Sequence, residues 1–384
     1  MFSRDVIDRF STLPTPFYYY DLDVLKKTLE KIKEEAGKYD FHVHYALKAN
    51  PNDPVLKMVR SYGLGADCVS GNEVKKAVEA GFEPGKIVFA GVGKSDRDIT
   101  YALEKEIFSF NCESFQELEV INELGSKAGK TAQIALRINP NVNANTHKYI
   151  TTGLEENKFG INLWELEDVV KRMKDLPFLK LTGLHFHIGS QITDMNAFRS
   201  LCLKVNEIQG WFVTRKIKLS DINVGGGLGV DYHEPDLHAI PDFASYFRIF
   251  HELLERRPGQ RIHFELGRAI VAQCGSLISR VLYIKKGQNT HFAILDAGMT
   301  ELIRPALYQS YHHIENVSKD GVKELQRYDV VGPICESSDC FRKAVLLPET
   351  HRGDLMALRT AGAYGEVMAS TYNLRDLVGA VYSH

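Results

Sequence analysis

The chain of 384 residues lacks an excess of either charge, with 47 lysines and arginines against 49 aspartates and glutamates. Proteins that bind nucleic acids usually carry a basic excess or a basic stripe, so this balance predicts no nucleic-acid partner. The chain also lacks an apolar run long enough to span a bilayer, and its charged N-terminal segment has no signal-peptide core. We therefore expect neither a membrane protein nor an exported one.

Cysteine is scarce, with six residues spread along the chain and no Cys-x-x-Cys pair. Such usage is too sparse for a disulfide scaffold, and it predicts reduced thiols in the cytoplasm. Apolar residues make up 44% of the chain, which is enough for a large core. The length allows two domains of ordinary size.

Short apolar runs alternate with segments of helical spacing from about residue 24 to residue 277. Apolar strands that alternate with helices are typical of a parallel sheet. Eight such units in about 250 residues predict a (β/α)8 barrel, and a doubly wound open sheet is the alternative. The predicted strands are residues 41–47, 64–69, 86–91, 107–112, 133–138, 181–188, 221–226 and 261–266.

The pattern changes after about residue 277, where short β runs are separated by turn residues and no long amphipathic helix is evident. These runs predict a second, mostly β domain. The strand-like segment "PFYYYDLD" near the N-terminus is expected to join it. The predicted division is residues 24–277 for the barrel, and residues 1–23 with 278–384 for the β domain.

Chemically distinctive residues follow several predicted barrel strands, and barrel active sites gather at the carboxyl ends of the strands. Lys48 follows the first strand in "YALKAN", where by itself it could be a lysine that caps a strand with its amine in water. Three successive glycines from Gly225 could form a tight turn, or could bring backbone N–H groups close to a phosphate. Glu265 could pair with Arg268, or could bind a ring nitrogen of a cofactor.

Two histidines, His185 and His187, share a face of the sixth strand as a metal pair would, but no third ligand with a clear motif accompanies them. We therefore expect no metal, and a histidine that packs on an aromatic ring instead. The segment "GVGKSD" ends like a phosphate-binding P-loop, but Val88 stands where that motif requires glycine. A lysine, a phosphate cradle, a stacking histidine and a carboxylate for a ring nitrogen together describe a pyridoxal phosphate site.

The chain resembles the barrel-type, alanine-racemase-like pyridoxal phosphate decarboxylases along nearly its whole length, and within them the diaminopimelate branch. The matching blocks are "YALKAN", "RINPNVNANTHKYITTG" with "KFGI", "GLHFHIGSQITD", "NVGGGLGVDY", "FELGRAIV", "LDAGMTELIRPALYQSYH", "GPICESSD" and "GAYGEVMASTYN". The resemblance implies pyridoxal 5'-phosphate as the cofactor. It also implies decarboxylation of meso-2,6-diaminopimelate to L-lysine, the last step of lysine biosynthesis.

The resemblance also implies which residues bind the cofactor. Lys48 would form the Schiff base with the aldehyde, His187 would stack on the ring, and Glu265 would bind the ring nitrogen. The other residues implied in cofactor binding are Ser190, Gly226, Gly227, Gly267, Arg268 and Tyr364. Leu266 replaces the proline that the family usually has in Glu-Pro-Gly-Arg, and we expect the turn to form nevertheless. The tail "LRDLVGAVYSH" departs from the usual ending of the family.

For the amino-acid substrate, the resemblance implies a set of residues near the carboxyl half of the chain: Arg268, Arg304, Tyr308, Glu336 and Tyr364. A guanidinium can bind a carboxylate through two parallel hydrogen bonds, and Glu336 suits an ammonium group. Cys335 is the expected proton donor, and with Glu336 it would act from the partner subunit of a homodimer with shared active sites. The alternative for Cys335 is a small buried hydrophobic residue.

Other activities of the same fold stay open from the sequence. The chain could decarboxylate another basic amino acid or carboxynorspermidine. It could also be an amino-acid racemase, which would need a second acid/base group on the opposite face of the substrate. A non-catalytic protein that binds pyridoxal phosphate could keep Lys48 and the glycines, but would have no reason for Arg304, Cys335 and Glu336.

Overall fold

The computed structural model describes residues 2–142, 158–319 and 321–383. The described chain forms two compact units. The barrel unit contains residues 28–229 and 242–267, and the β unit contains residues 1–27, 230–241 and 268–384. The domain boundaries that we predict from the sequence, 24–277 for one domain and 1–23 with 278–384 for the other, stay a prediction. Residues 143–153 of the block "RINPNVNANTHKYITTG" lie outside the described residues.

The described residues form sixteen strands and eleven α-helices. The strands are β1 (Phe17–Tyr20), β2 (Phe41–Ala46), β3 (Gly65–Cys68), β4 (Ile87–Phe89), β5 (Ser109–Cys112), β6 (Ala132–Arg137), β7 (Leu179–His185), β8 (Asp221–Asn223), β9 (Arg261–Leu266), β10 (Gly275–Lys286), β11 (His291–Leu295), β12 (Ile314–Asn316), β13 (Leu325–Val331), β14 (Cys340–Pro348), β15 (Leu355–Leu358) and β16 (Ala380–Tyr382). The helices are α1 (Arg4–Ser11), α2 (Leu22–Gly37), α3 (Asp53–Ser61), α4 (Gly71–Glu79), α5 (Asp96–Glu104), α6 (Phe115–Ala128), α7 (Leu166–Arg172), α8 (Asn196–Thr214), α9 (Phe243–Leu253), α10 (Arg268–Val271) and α11 (Arg304–Tyr308).

Strands β2 to β9 close into a parallel barrel, in which β9 pairs with β2. The closure confirms the predicted (β/α)8 architecture and excludes the open sheet. Serine side chains begin three of its helices: Ser70, Ser95 and Ser114 each accept a hydrogen bond from a backbone N–H of the first turn. Because those N–H groups have no partner within the helix, each serine marks the point where a strand-to-helix connection ends.

Polar side chains occupy the barrel interior, although the strands read as apolar runs. Strand β9 turns Arg261, His263 and Glu265 to the same side at alternate positions. His263 is hydrogen-bonded between His44 and Asp221, at 3.0 and 3.1 Å. The barrel therefore holds a series of titratable groups along β9, from Arg261 at the amino end of the strand to Glu265 near its carboxyl end.

The β unit is built on one sheet of eight strands, in the order β12-β15-β10-β11-β13-β14, with β1 paired to β10 and β16 paired to β1. The segment "PFYYYDLD" therefore joins the β domain, as we predict. The tail also contributes, because β16 runs parallel to β1 with Tyr18 opposite Ala380. A hydrophobic cluster around Phe10, Phe17 and Tyr19 packs α1 against the sheet.

No helix in the described ranges combines the length and the apolar character that a membrane crossing requires.

Candidate active site

Lys48 lies just beyond the carboxyl end of β2, in a single 3-10 turn over Leu47–Ala49. Its neighbours Leu47 and Ala49 are buried and anchor the turn. The side chain of Lys48 is 41% exposed, and its Nζ lies 3.5 Å from Oδ2 of Asp67 at the end of β3. The amine is therefore held at the carboxyl end of the barrel and remains accessible.

Asp67 is buried, and its Oδ1 has no hydrogen-bond partner among the described residues. Burial and the negative charge of Glu265 raise the pKa of Asp67 to about 7, although Lys48 opposes the rise. A carboxyl group in this position can hold a proton near neutral pH beside the lysine amine.

Glu265 accepts three hydrogen bonds inside the barrel. The side-chain amides of Asn111 and Asn223 donate to its Oε1 at 2.9 and 2.7 Å, and Nε2 of His185 donates to its Oε2 at 2.9 Å. Burial by itself raises the pKa of Glu265, but His185 and then Lys48 outweigh burial and hold the pKa below its usual range. Glu265 is therefore anionic, and one acceptor site on its carboxylate remains for a ring N–H.

His187 follows β7 with its ring half-buried. Burial, followed by the charges of Arg137 and Lys48, holds the pKa of His187 well below its usual range, so the ring is neutral. Its Nδ1 accepts a hydrogen bond from the backbone N–H of Gly226 at 3.4 Å. A neutral imidazole with a fixed orientation can pack its face against an aromatic ring.

The glycines after β8 are required by close backbone packing. A Cβ on Gly226 would lie 1.8 Å from the carbonyl oxygen of Glu265, and one on Gly225 would lie 2.2 Å from that of Phe186. Gly227 has a φ of +104°, which L-residues with side chains rarely adopt. Among the described residues no acceptor meets the backbone N–H of Gly227, which therefore remains available to an anion. Ser190 lies half-buried in the loop after β7.

A buried ion pair joins Nη1 of Arg137 to Oε1 of Glu113 at 2.7 Å. Glu113 also accepts hydrogen bonds from the backbone N–H groups of Gly91 and Gly160.

In the segment "GVGKSD", the fully buried amine of Lys94 donates to two backbone carbonyls and to Glu117. That lysine is a structural residue, which agrees with the missing P-loop glycine.

The β unit holds a second cluster, which we call the arginine cluster: Tyr232, Arg268, Arg304, Tyr308 and Tyr364. Nη1 of Arg268 donates to the Tyr232 hydroxyl at 2.5 Å, and Nη2 of Arg304 donates to the same oxygen at 3.5 Å. The ring of Tyr364 lies 4.9 Å from the Arg268 guanidinium, and the ring of Tyr308 lies 5.7 Å from that of Arg304.

Both arginines of this cluster are buried, with exposed fractions of 6% for Arg268 and 5% for Arg304. Arg304 forms no ion pair with a carboxylate of the described residues. Burial and the neighbouring Arg268 lower its pKa. Because a buried guanidinium without a carboxylate is costly, the cluster is suited to bind an anionic ligand.

Cys335 and Glu336 lie on the β unit between β13 and β14, and both are exposed. The backbone N–H of Cys335 donates to Oδ1 of Asn373 at 3.4 Å, and Oε1 of Glu336 accepts from the Tyr372 hydroxyl at 2.7 Å. Their action across a subunit interface stays a prediction.

Leu266 ends the last barrel strand, Gly267 follows it, and Arg268 begins α10. Leu266 is buried and stands opposite Tyr45 of β2. The turn therefore forms with leucine at the position of the family's proline.

Several residues of these clusters receive no role from the motifs: Asp67, Asn111, Glu113, Arg137, Asn223 and Tyr232. Of these, Arg137, Asn223 and Tyr232 stand inside blocks that match the family. One signal marks most of them, since each is a polar residue in or beside a short strand that is otherwise apolar. Their contacts are not visible in the sequence, because the side-chain partners named above lie in other segments of the chain, at least 19 positions away.

Comparisons with known proteins identify the family of the chain. The family described as "Pyridoxal-dependent decarboxylase, pyridoxal binding domain" matches residues 22–272. The chain is 58% identical over 372 residues to a diaminopimelate decarboxylase of Bacteroides thetaiotaomicron, covering 97% of this chain and 96% of that protein. It is 43% identical to one of Helicobacter pylori over 368 residues, 95% of this chain and 89% of the other. The crystal structure of a Helicobacter pylori diaminopimelate decarboxylase complexed with L-lysine superposes with a TM-score of 0.92 at 41% identity, covering 99% of this chain and 94% of that one.

Proposed function

Because the chain belongs to the diaminopimelate decarboxylases, within the pyridoxal-dependent decarboxylases, we propose that it converts meso-2,6-diaminopimelate to L-lysine and carbon dioxide. This reaction is the last step of lysine biosynthesis. The arginine cluster is the observation that supports this choice of substrate, because two buried guanidiniums meet there at one tyrosine hydroxyl. A decarboxylase of ornithine or arginine would not need such a group, because those substrates have no second carboxylate.

The residues of the barrel unit fit pyridoxal phosphate. Lys48 offers an amine for the aldehyde, Glu265 offers an anionic oxygen for the ring nitrogen, and Gly227 offers a backbone N–H for the phosphate. When bound, this cofactor supplies a protonated ring that accepts the electron pair left by the departing carboxylate. We propose that the cofactor is held by Lys48, His187, Ser190, Gly226, Gly227, Glu265, Gly267, Arg268 and Tyr364.

In the proposed reaction, each protein group has a definite task. Glu265 keeps a proton on the ring nitrogen, because its carboxylate is held anionic by three N–H donors. His187 packs its neutral ring against the cofactor ring. Cys335 gives a proton to the carbon that has lost carbon dioxide, acting from the partner subunit.

The substrate's far end carries the second carboxylate and the second ammonium group. We assign the carboxylate to Arg268, Arg304, Tyr308 and Tyr364, because guanidinium and phenol groups donate hydrogen bonds to carboxylates. Glu336 binds the ammonium group. This division of roles requires a homodimer in which Cys335 and Glu336 serve the partner's site, and we place the enzyme in the cytoplasm.

A substrate panel tests the proposal. The purified protein, supplied with pyridoxal phosphate, is given meso-diaminopimelate, ornithine, arginine and carboxynorspermidine, and the amine products are measured. We expect L-lysine from diaminopimelate at a rate far above any product from the others. Turnover of another substrate without lysine formation would keep the fold and cofactor, and would overturn the substrate assignment.

A further inference from the structure

The hydroxyl group of Tyr232 has an unusual hydrogen-bond balance. Its oxygen accepts one hydrogen bond from Arg268 and one from Arg304, so both of its lone pairs are in use. Its own hydrogen must point in a third direction. Among the described residues, no group accepts that hydrogen. A buried donor that is left without an acceptor marks a place where a ligand acceptor belongs.

The surroundings keep this hydroxyl a strong hydrogen-bond donor. Burial alone raises the pKa of Tyr232, but the guanidiniums of Arg268 and Arg304 outweigh burial and lower the pKa. A phenol that is polarised by two cations donates a stronger hydrogen bond than an ordinary tyrosine. Tyr232 is 8% exposed, so bulk water competes little for its hydrogen.

His312 packs against the ring of Tyr232 with the two ring planes at 85°. Its Nδ1 lies 3.0 Å from the carbonyl oxygen of Arg359, and because a carbonyl only accepts, Nδ1 carries the hydrogen. Burial and then Arg304 lower the pKa of His312 to about 3, so the ring is neutral. His312 therefore supports the tyrosine ring without adding a third positive charge.

The segment that carries Tyr232 is fastened within the β unit. The side-chain amide of Gln273 donates to the backbone carbonyls of Asp231 and His238, each at 2.9 Å. The guanidinium of Arg359 binds Asp236 at 2.7 Å. Tyr232 is therefore held in the same unit as both arginines, although its segment lies between β8 and β9 in the chain.

We propose that Tyr232 determines substrate specificity by donating its hydroxyl hydrogen to the distal carboxylate of the substrate, the one that L-lysine retains. This inference rests on the proposed function and adds a residue that the motifs do not single out. Arg268 and Arg304 supply charge, and Tyr232 supplies a neutral donor at the point where the two guanidiniums meet. A ligand without that carboxylate gains nothing from the hydroxyl.

The test compares two ligands that differ only in this carboxylate: L-lysine, and pentane-1,5-diamine, which is lysine without it. Their dissociation constants are measured by calorimetry on the cofactor-loaded wild type and on Tyr232→Phe. We expect Tyr232→Phe to weaken L-lysine binding by roughly 10-fold or more, because a hydrogen bond to a charged group is lost. Binding of the diamine should change less than about 2-fold, and the KM for diaminopimelate should rise more than kcat falls.

The matched control is Tyr246→Phe, which removes a buried hydroxyl that has no hydrogen-bond partner among the described residues. It should leave the affinities for both ligands unchanged. If Tyr232→Phe weakens both ligands equally, or neither, the role of Tyr232 is overturned while the proposed function stands. If the wild type itself does not prefer L-lysine to the diamine, recognition of the carboxylate fails, and the proposed substrate fails with it.

A second variant keeps the ring and the hydroxyl in case Tyr232→Phe does not fold. Site-specific 3-fluorotyrosine at position 232 lowers the pKa of the phenol through the electron-withdrawing fluorine. Loss of the hydroxyl hydrogen would then remove the donor and repel the carboxylate. The affinity for L-lysine should therefore fall at a lower pH than in the wild type, with no such shift for the diamine. An identical pH dependence of L-lysine binding in both proteins would overturn the proposal.

Discussion

Asp67 and Glu265 are two buried carboxyl groups of the barrel whose pKa values are shifted in opposite directions. Glu265 accepts three N–H hydrogen bonds and stays anionic, while burial and then the negative charge of Glu265 raise the pKa of Asp67 to about 7. Below about pH 7, Asp67 thus holds a proton while Glu265 does not. Burial favours the protonated form of both groups, and only at Glu265 do His185 and Lys48 outweigh burial.

The raised pKa of Asp67 predicts a pH-dependent stability for the cofactor-free protein. The unfolded state releases this proton near pH 4, whereas the folded state holds it until about pH 7. Between these values the folded state binds more protons, so the contribution of Asp67 to stability is full below about pH 4 and is lost as the pH rises through 7. The slope from this one group is at most about 1.4 kcal/mol per pH unit.

Asp67→Asn should remove that dependence. Denaturant unfolding of the cofactor-free wild type and variant at pH 5 and pH 8 should show the variant gaining stability relative to the wild type at the higher pH. The exposed Asp175→Asn serves as the control and should show no such gain. A difference in unfolding free energy that stays constant between the two pH values would contradict the assignment.

Glu265→Gln should lower kcat while leaving the cofactor bound. The amide has no negative charge to keep a proton on the ring nitrogen, so we expect a loss of about 10²–10³-fold, as for removal of one preorganised electrostatic group. Asn223→Ala should cause a smaller loss in the same direction, because Asn111 still donates to Oε1 of Glu265. Full kcat in Glu265→Gln would refute the role of the carboxylate.

Lys48→Ala should abolish turnover and the visible absorbance of the covalently bound cofactor. Lys48 is the only residue to which the proposal assigns a covalent bond with the aldehyde of the cofactor. Steady-state assays and absorbance spectra of the purified variant check both effects. Lys57→Ala, an exposed lysine of α3, should retain both. Retained activity in Lys48→Ala would overturn the Schiff-base assignment.

Mixtures of two inactive variants test whether active sites are shared between subunits. Lys48→Ala and Cys335→Ala should each be impaired, but their hybrid dimers contain one site with an intact Lys48 and an intact Cys335 from the partner. Some activity should therefore return after subunit exchange. If exchange is demonstrated by mass spectrometry and activity does not return, the proposed sharing is wrong.

Gly226→Ala should destabilise the protein and weaken binding of pyridoxal phosphate. The new Cβ would lie 1.8 Å from the carbonyl oxygen of Glu265, so the loop must shift at a cost of about 1–3 kcal/mol in unfolding free energy. Gly210→Ala in α8 meets no atom within 4 Å, and should stabilise the helix by up to about 1 kcal/mol. Equal stability of the two variants would contradict the tight packing at Gly226.

The sequence by itself determined the β/α order, the barrel, the second β domain and the residues that stand in motifs. These features depend on local patterns, because apolar periodicity and turn residues act over a few positions along the chain. Lys48, Glu265 and the glycines after β8 could be found in this way, since each follows a recognisable strand. Strand β16 cannot be found in this way, because three residues are too few to show an alternating pattern without their partner β1.

Only the tertiary structure decided which polar residues meet. Asn111 and Asn223 reach Glu265 from two other strands, and Tyr232 meets Arg304 across 72 positions of sequence. Strand register and barrel closure bring the first set together, and packing within the β unit brings Tyr232 to Arg304; none of these can be read from a local pattern. The protonation of Asp67 and the polarised hydroxyl of Tyr232 also depend on the tertiary structure, because burial and neighbouring charges, not residue type, determine a pKa.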